Sequence, residues 1–135
     1  HTQFILADGE PYIVEVTRRC PGDLYSLLIE YSTGFPYAAT YAAAFLGQLT
    51  IPQCGDVRHV LRHSVASTGG ELYQAMAFKS PVPVKALFPL MSVGEMLLPA
   101  QRNRAAVLFA EYRLHDTLKD AYAQFMARAA YDLAG

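Results

Sequence analysis

The sequence predicts an α+β fold: an antiparallel sheet with packed helices, followed by a small strand-rich tail closed by a carboxyl-terminal helix. Two short apolar runs flank Asp8-Gly9-Glu10, which is typical of a β-hairpin. Leucine and tyrosine then recur at helical spacing in two segments, and a third helical pattern closes the chain. Because the chain has 135 residues and is 53% hydrophobic, it is long enough to bury a core.

The opening strands are predicted to pair around a three-residue loop, Asp8-Gly9-Glu10, which places Ala7 opposite Pro11. Antiparallel partners share a face, so this register projects four polar side chains from one face of an apolar ribbon: His1, Gln3, Glu15 and Thr17. Glu15 stands between two valines, where a carboxylate is costly to bury without a partner. Oxygen donors at this spacing, followed by Arg18 and Arg19, suit a hard cation and a phosphate.

Two helices are predicted after the hairpin. Asp23 is placed to cap a helix that runs to about Ser32, and Gly34 is placed to end it. Pro36 then opens a second helix, which Gly47 stops. A loop rich in turn residues follows, and it divides the chain into two predicted domains, residues 1–50 and 51–135.

The second domain is predicted to be a cluster of strands closed by a helix. A strand over 57–67 is expected to pair with one over 71–78, after a turn at Thr68-Gly69-Gly70. Further strands are expected over 84–91, 93–98 and 104–112, and the last helix over 116–133. His59 and His63 are spaced for a helix although their surroundings indicate a strand, so we interpret them as part of a solvated polar face.

Composition narrows the range of partners. The formal net charge is −1, from 11 basic and 12 acidic residues, which gives no electrostatic reason to expect nucleic acid or a membrane. Only 17% of residues are charged, below the ~25% of typical domains, so we expect other protein to cover some surface. A homodimer is one such arrangement. Cys20 and Cys54 match no metal-ligand spacing and favour reduced thiols in the cytoplasm. The chain begins inside a strand pattern without methionine, as expected of part of a longer protein.

The opening segment resembles the carboxyl-terminal part of an ATP-grasp domain. In that family one strand gives a Glu, Gln or Asp to magnesium, and the next ends in Glu, an apolar residue, Asn, Pro and Arg. Gln3 stands at the first position, and Glu15-Val16-Thr17-Arg18-Arg19 aligns with the second. Thr17 replaces the Asn and Arg18 the Pro. The resemblance is clearest to carbamoyl-phosphate synthase large chains, biotin carboxylases and carboxylate–amine ligases, and it is more specific over residues 1–50 than beyond.

The resemblance implies a set of site residues. Glu15 would bridge two magnesium ions, with Gln3 and Thr17 as further metal ligands. Arg19 would be the catalytic arginine, and Arg18 would join it in binding substrate or phosphate. The implied cofactors are ATP and Mg²⁺, with Mn²⁺ as an alternative to Mg²⁺. The family's nucleotide-binding loop, lysines and hinge would precede the chain, so the missing amino-terminal part of the same polypeptide is an expected partner.

The resemblance also implies a reaction. An ATP-grasp ligase uses ATP to convert a small carboxylate into an acyl phosphate, which an amine or similar nucleophile then attacks. We therefore expect an enzyme in which this chain is one part, and we expect the 135 residues alone to be inactive. The alternative is a non-catalytic α+β interaction module that docks a partner through an apolar face.

Overall fold

The computed structural model of the chain describes residues 2–17, 19–48, 50–99 and 102–133. Within these ranges the fold is α+β, with antiparallel sheets and three helices, as the sequence predicts. The chain forms two compact units, His1–Gly55 and Asp56–Gly135. The predicted pairing of His1 with Thr17 and the predicted role of Arg18 fall on positions 1 and 18, outside the described residues. In the described part of the chain, no helix is both long and apolar enough to cross a membrane.

The first unit opens with a hairpin of strands β1 (Thr2–Ala7) and β2 (Glu10–Val16). Ala7 pairs with Glu10, so the predicted three-residue loop, which placed Ala7 opposite Pro11, is wrong. The turn has two residues, Asp8 and Gly9, whose φ angles are 53° and 81°. Positive φ at both central positions is what a tight type I′ turn requires, and its twist matches that of the two strands.

A β-bulge in the hairpin restores the register that the shorter turn would otherwise shift. Phe4 pairs with Ile13, but the next pair along is Gln3 with Glu15, which leaves Val14 as the extra residue. A regular ladder would instead have placed Gln3 opposite Val14. The predicted pairing of Gln3 with Glu15 is therefore confirmed, although the turn on which the prediction depended is not the one observed.

Helices α1 (Tyr25–Thr33) and α2 (Tyr37–Phe45) complete the first unit. Leu24 occupies the N-cap position of α1 with φ 60°, and no side chain caps the helix, so the predicted cap by Asp23 is wrong. An N-cap carboxylate reaches the first helical amides from an extended backbone, whereas Asp23 also has φ 60°. Gly34 does end α1, as predicted, with φ 69°. The carboxylate of Glu30 accepts a hydrogen bond from the Ala38 amide at 2.9 Å and so links the two helices.

The first unit exposes an unusual amount of apolar surface. None of its described residues is buried. In the hairpin, seven large apolar side chains on both faces are 59–68% exposed: Phe4, Ile5, Leu6, Tyr12, Ile13, Val14 and Val16. A two-stranded hairpin is at best marginally stable in water by itself, and exposed apolar patches of this kind mark contact surfaces. The hairpin therefore has the character of a surface that other protein covers.

The second unit contains seven strands and one helix among the described residues. They are β3 (His59–Val65), β4 (Glu71–Leu72), β5 (Ala77–Phe78), β6 (Val84–Pro89), β7 (Met96–Leu97), β8 (Ala106–Tyr112), α3 (His115–Met126) and β9 (Tyr131–Asp132). The main sheet is antiparallel in the order β3-β8-β6. β4 pairs with β7, and β5 pairs with β9. The single strand predicted over 71–78 as the partner of β3 is therefore wrong, because β8 takes that place.

The core of the second unit lies beside the central strand β8, which is buried from Ala106 to Ala110. Val65, Leu97 and Phe125 pack in the same core with no more than 1% of their surface exposed. The predicted helix over 116–133 ends early, at Met126. Arg128 has φ 55°, which turns the chain out of the helix and lets Tyr131–Asp132 join the β5 edge.

Candidate functional site

Gln3 and Glu15 lie opposite each other near the open end of the hairpin. Directly paired residues on antiparallel strands have Cα atoms about 4.5–5.5 Å apart and project from the same face. The amide of Gln3 and the exposed carboxylate of Glu15 therefore share one face of the ribbon. Thr17 follows β2 directly and is half-buried. The structure thus brings together two of the predicted oxygen donors and places the third two residues further along the chain.

Arg19 lies beyond the strand at an open cavity of about 470 Å³. Of the predicted site residues that the structure describes, Arg19 alone lines this cavity, together with residues of the following turn and helix α1: Pro21, Gly22, Asp23, Tyr25 and Ile29. The cavity combines a permanently charged guanidinium with an aromatic ring and an aliphatic side chain. A guanidinium presents a planar fork of donors that matches a carboxylate or a phosphate.

The backbone beside this cavity is strained. Asp23 and Leu24 are successive non-glycine residues with φ 60°. For a bulky residue such as leucine the left-handed region is a true outlier, and residues held there cost about 1–3 kcal/mol and cluster at functional sites. No periodicity or turn signal in the sequence indicates this conformation. The observation adds to the case that the turn after Arg19 has a functional rather than a purely connecting role.

The donors fit magnesium in kind, but they are few. In the described part of the chain, no group of three or more His, Cys, Asp or Glu side chains is arranged to hold a metal ion. Magnesium prefers oxygen ligands, keeps several waters, and is commonly bound by one or two carboxylates together with substrate phosphates. Glu15 and the amide oxygen of Gln3 match that pattern. The remaining ligands would have to come from a bound phosphate and water.

A second polar cluster lies in the other unit, around His63. Its Nε2 atom is 3.1 Å from the hydroxyl of Tyr131. That hydroxyl donates to the Ala66 carbonyl at 3.2 Å and accepts from the Ala66 amide at 3.4 Å. The ring of Phe125 packs against His63 at 5.0 Å between centroids. The interpretation of His63 as part of a solvated face is therefore wrong, because Phe125 from α3 and Tyr131 from β9 cover it.

Burial lowers the pKa of His63 to about 4, and the charges of Arg128 and Arg62 act in the same direction. In the unfolded chain the pKa returns to about 6.5, so between pH 6.5 and 4 the unfolded state binds the proton more readily. The contribution of His63 to stability is therefore complete above about pH 6.5 and is lost as the pH falls towards 4. Allowing for its partial exposure, we expect a loss of about 1–2 kcal/mol.

Replacing His63 with glutamine should remove this part of the pH dependence, since glutamine can still hydrogen-bond Tyr131 but does not titrate. The test compares urea unfolding of the two proteins at pH 4.5, 5.5, 6.5 and 7.5. We expect the difference in unfolding free energy between them to narrow by about 1–2 kcal/mol from pH 6.5 to 4.5. A difference that stays constant across this range would contradict the prediction.

The thiol of Cys20 is free and half-buried. It lies beside the hydroxyl of Tyr37, the first residue of α2. Loss of solvation and the neighbouring Cys20 both raise the pKa of Tyr37. A phenol that stays protonated is a hydrogen-bonding partner for the thiol and supplies no positive charge to activate it. The geometry therefore favours a structural role for Cys20.

Comparisons with known proteins identify a fold but no family. No protein-family model matches the chain, and no curated protein matches it. Among solved structures, the crystal structure of phosphoribosylglycinamide synthetase from Anaerococcus prevotii is similar, with a TM-score of 0.71 and 13% sequence identity. The fold is ATP-grasp-like.

The similarity to the synthetase extends over nearly all of this chain but over only part of the synthetase. It covers 98% of this chain and 35% of that chain, so the chain spans about a third of the protein that it matches. At 13% identity the likeness shows the fold alone. It does not select the branch of carbamoyl-phosphate synthases and biotin carboxylases. Residue roles within the ATP-grasp-like fold depend on the geometry described above.

Proposed function

We propose that this chain is part of an ATP-dependent and magnesium-dependent ligase that activates a carboxylate as an acyl phosphate for attack by an amine or similar nucleophile. The observation that carries the proposal is the pairing of Gln3 with Glu15 across a bulged hairpin. The pairing places an amide and a carboxylate on one face. The carboxylate belongs to Glu15, and Arg19, four residues later, lines a cavity. The ATP-grasp-like fold makes this combination meaningful, because a Gln–Glu pair on a sheet is otherwise ordinary.

In the proposed site Glu15 and Gln3 would hold the metal ion, with the Glu15 carboxylate as the principal ligand. Thr17, two residues after Glu15, would be a further ligand. When bound, Mg²⁺, or Mn²⁺ in its place, would neutralise negative charge on the phosphate oxygens of ATP. Arg19, and by extension Arg18, would hold the carboxylate or the phosphate as charge moves between them. The exposed apolar surface of the hairpin is suited to contact with the amino-terminal part of the same polypeptide. We expect this protein in the cytoplasm.

Hydroxylamine trapping tests the proposed reaction in the protein that contains this chain. An acyl phosphate reacts with hydroxylamine to give a hydroxamate and inorganic phosphate, so hydroxamate should form only with ATP, a carboxylate substrate and Mg²⁺ or Mn²⁺ all present. Chelation of the metal should reduce it to background. The isolated 135 residues should neither hydrolyse ATP nor bind it at micromolar affinity, and either result would contradict the division of the site proposed here.

The alternative, a non-catalytic interaction module, is favoured by one specific observation. Seven exposed apolar side chains on the hairpin form a surface suited to docking a partner, whatever the chemistry nearby. The two proposals differ in what they require of Glu15. A docking module needs the apolar residues and tolerates loss of the carboxylate, whereas the ligase requires the carboxylate.

A further inference from the structure

A cavity of about 320 Å³ lies in the second unit, and none of its lining residues is used in the proposed reaction. It is bounded by the segment that follows β3, the start of β4, the turn that follows α3, strand β9 and the residue after it. Its volume is about ten times the share of one water molecule in the liquid and lies at the small end of ligand pockets. A ligand of the size of a small amino acid would fit it.

One wall of the cavity carries a positive charge. Arg128 lines the cavity, and its Nη1 atom is closed off from solvent and makes no hydrogen bond. Removing such a donor from water without a partner is unfavourable, and a native structure that tolerates it calls for an explanation. The backbone of Arg128 is also held at φ 55°, which arginine adopts at a cost. Nη1 is as closed to a ligand in the cavity as it is to water, so a bound carboxylate would meet the other nitrogens of the guanidinium.

The cavity also presents a negative charge. Glu71 lines it, and although Glu71 and Arg128 are both described, no ion pair joins them. Asp132 is a second carboxylate of the lining, and it forms an exposed ion pair with Lys79 at 3.0 Å. Ser67, which is buried, adds a hydroxyl. The Tyr131 hydroxyl is already engaged by His63 and Ala66.

This arrangement of charge limits the ligand. A simple anion would meet the carboxylate of Glu71, and a simple cation would meet the guanidinium of Arg128, so each would gain one attraction and suffer one repulsion. A molecule that carries both a carboxylate and an ammonium group satisfies both walls. We propose that this cavity binds a small zwitterion of the free amino acid class, its carboxylate on Arg128 and its ammonium on Glu71. The proposal does not depend on the ligase reaction.

Titration by NMR of the protein that contains this chain, with L-alanine, acetate and methylammonium, tests the charge requirement. We expect L-alanine to shift resonances of the cavity residues and to bind at least about tenfold more tightly than either single-charge probe. Glycine and L-serine serve as further zwitterions of similar size. If acetate binds as tightly as L-alanine, the site recognises an anion only and the proposal is wrong. Absence of saturable binding by all three amino acids would also overturn it.

Two variants separate binding from folding. Arg128→Gly removes the guanidinium at a position where glycine adopts the required φ without strain, so the thermal midpoint should stay unchanged or rise while affinity for L-alanine falls at least about tenfold. Glu71→Gln should lower the affinity for L-alanine by a similar factor. It should raise the affinity for acetate, because the variant no longer carries the carboxylate that repels this anion. Arg113→Gln, an exposed arginine outside this cavity, is the matched control. Unchanged L-alanine affinity in a folded Arg128→Gly protein would refute the proposal.

Discussion

Replacing Glu15 with glutamine, in the protein that contains this chain, is expected to lower the kcat/KM of ATP-dependent hydroxamate formation by at least about 100-fold. Glutamine has nearly the same shape as glutamate, so it should preserve the pairing with Gln3 and the bulge. What it removes is the negative charge, and a neutral amide is a weak bridging ligand for a divalent cation. Because Glu15 is exposed, the substitution should have little effect on stability.

The matched control for Glu15→Gln is Glu10→Gln. Glu10 lies on the same strand and pairs with Ala7, which shares a face of β1 with Gln3. The same chemical change at this turn-proximal position should alter activity less than about threefold, within the range of ordinary surface substitutions. Full activity in folded Glu15→Gln would refute the proposed metal site and would favour the docking module. Equal losses in both variants would point to an effect of hairpin charge rather than of a ligand.

In the hairpin, the sequence predicts the position of the turn and the Gln3–Glu15 pair, but it does not predict the bulge. Asp8-Gly9 is a strong signal for a two-residue turn and correctly marks the turn, but the predicted loop is one residue longer than the observed one. The Gln3–Glu15 pair was nevertheless predicted correctly, because the bulge at Val14 offsets the error of one residue. Nothing in a run of Ile13, Val14 and Glu15 indicates which residue leaves the ladder, since bulges depend on the twist of the whole sheet.

Long-range pairing limited the prediction of the second unit. Strand β8 was predicted from its apolar run, but its pairing with β3 joins residues about fifty positions apart, and local pattern cannot choose such partners. The same reason explains why the sequence around His63 does not indicate its burial. Its neighbours in sequence are polar, whereas the groups that bury it, Phe125 and Tyr131, belong to elements more than sixty residues away.

Sequence patterns also do not predict backbone conformations that tertiary contacts impose. Leu24 and Arg128 both occupy the left-handed region, where sequence preference would place glycine or asparagine. One displaces the predicted cap of α1, and the other ends α3 some seven residues earlier than the helical pattern indicates. Both lie beside cavities, the first near Arg19 and the second lining the cavity proposed for a zwitterion. Departures from local preference are expected where function constrains the chain.

Deleting Val14 and deleting Val16 from β2 are expected to lower activity to very different extents, because only Val14 is the extra residue of the bulge. Removal of Val14 leaves Ile13 followed by Glu15, so a regular ladder can keep the pairs of Phe4, Gln3 and Thr2 unchanged. The variant should retain activity to within about tenfold. After removal of Val16, no register keeps all the site residues in place. Hydroxamate formation should then fall at least about 100-fold, because small displacements of reacting groups can cost that much in rate.

Two registers are open to the chain that lacks Val16, and each damages the site. If the bulge is kept, Glu15 still pairs with Gln3, but Thr17 moves opposite Thr2 and so to the other face, and Arg19 shifts by one residue, about 3.3 Å. If the bulge is lost, Gln3 pairs with Val14, and Glu15 itself changes face. Both deletions remove the same side chain from the same strand, so thermal unfolding should detect similar losses of stability. Equal activities in the two folded variants would show that the bulged register does not position the catalytic groups.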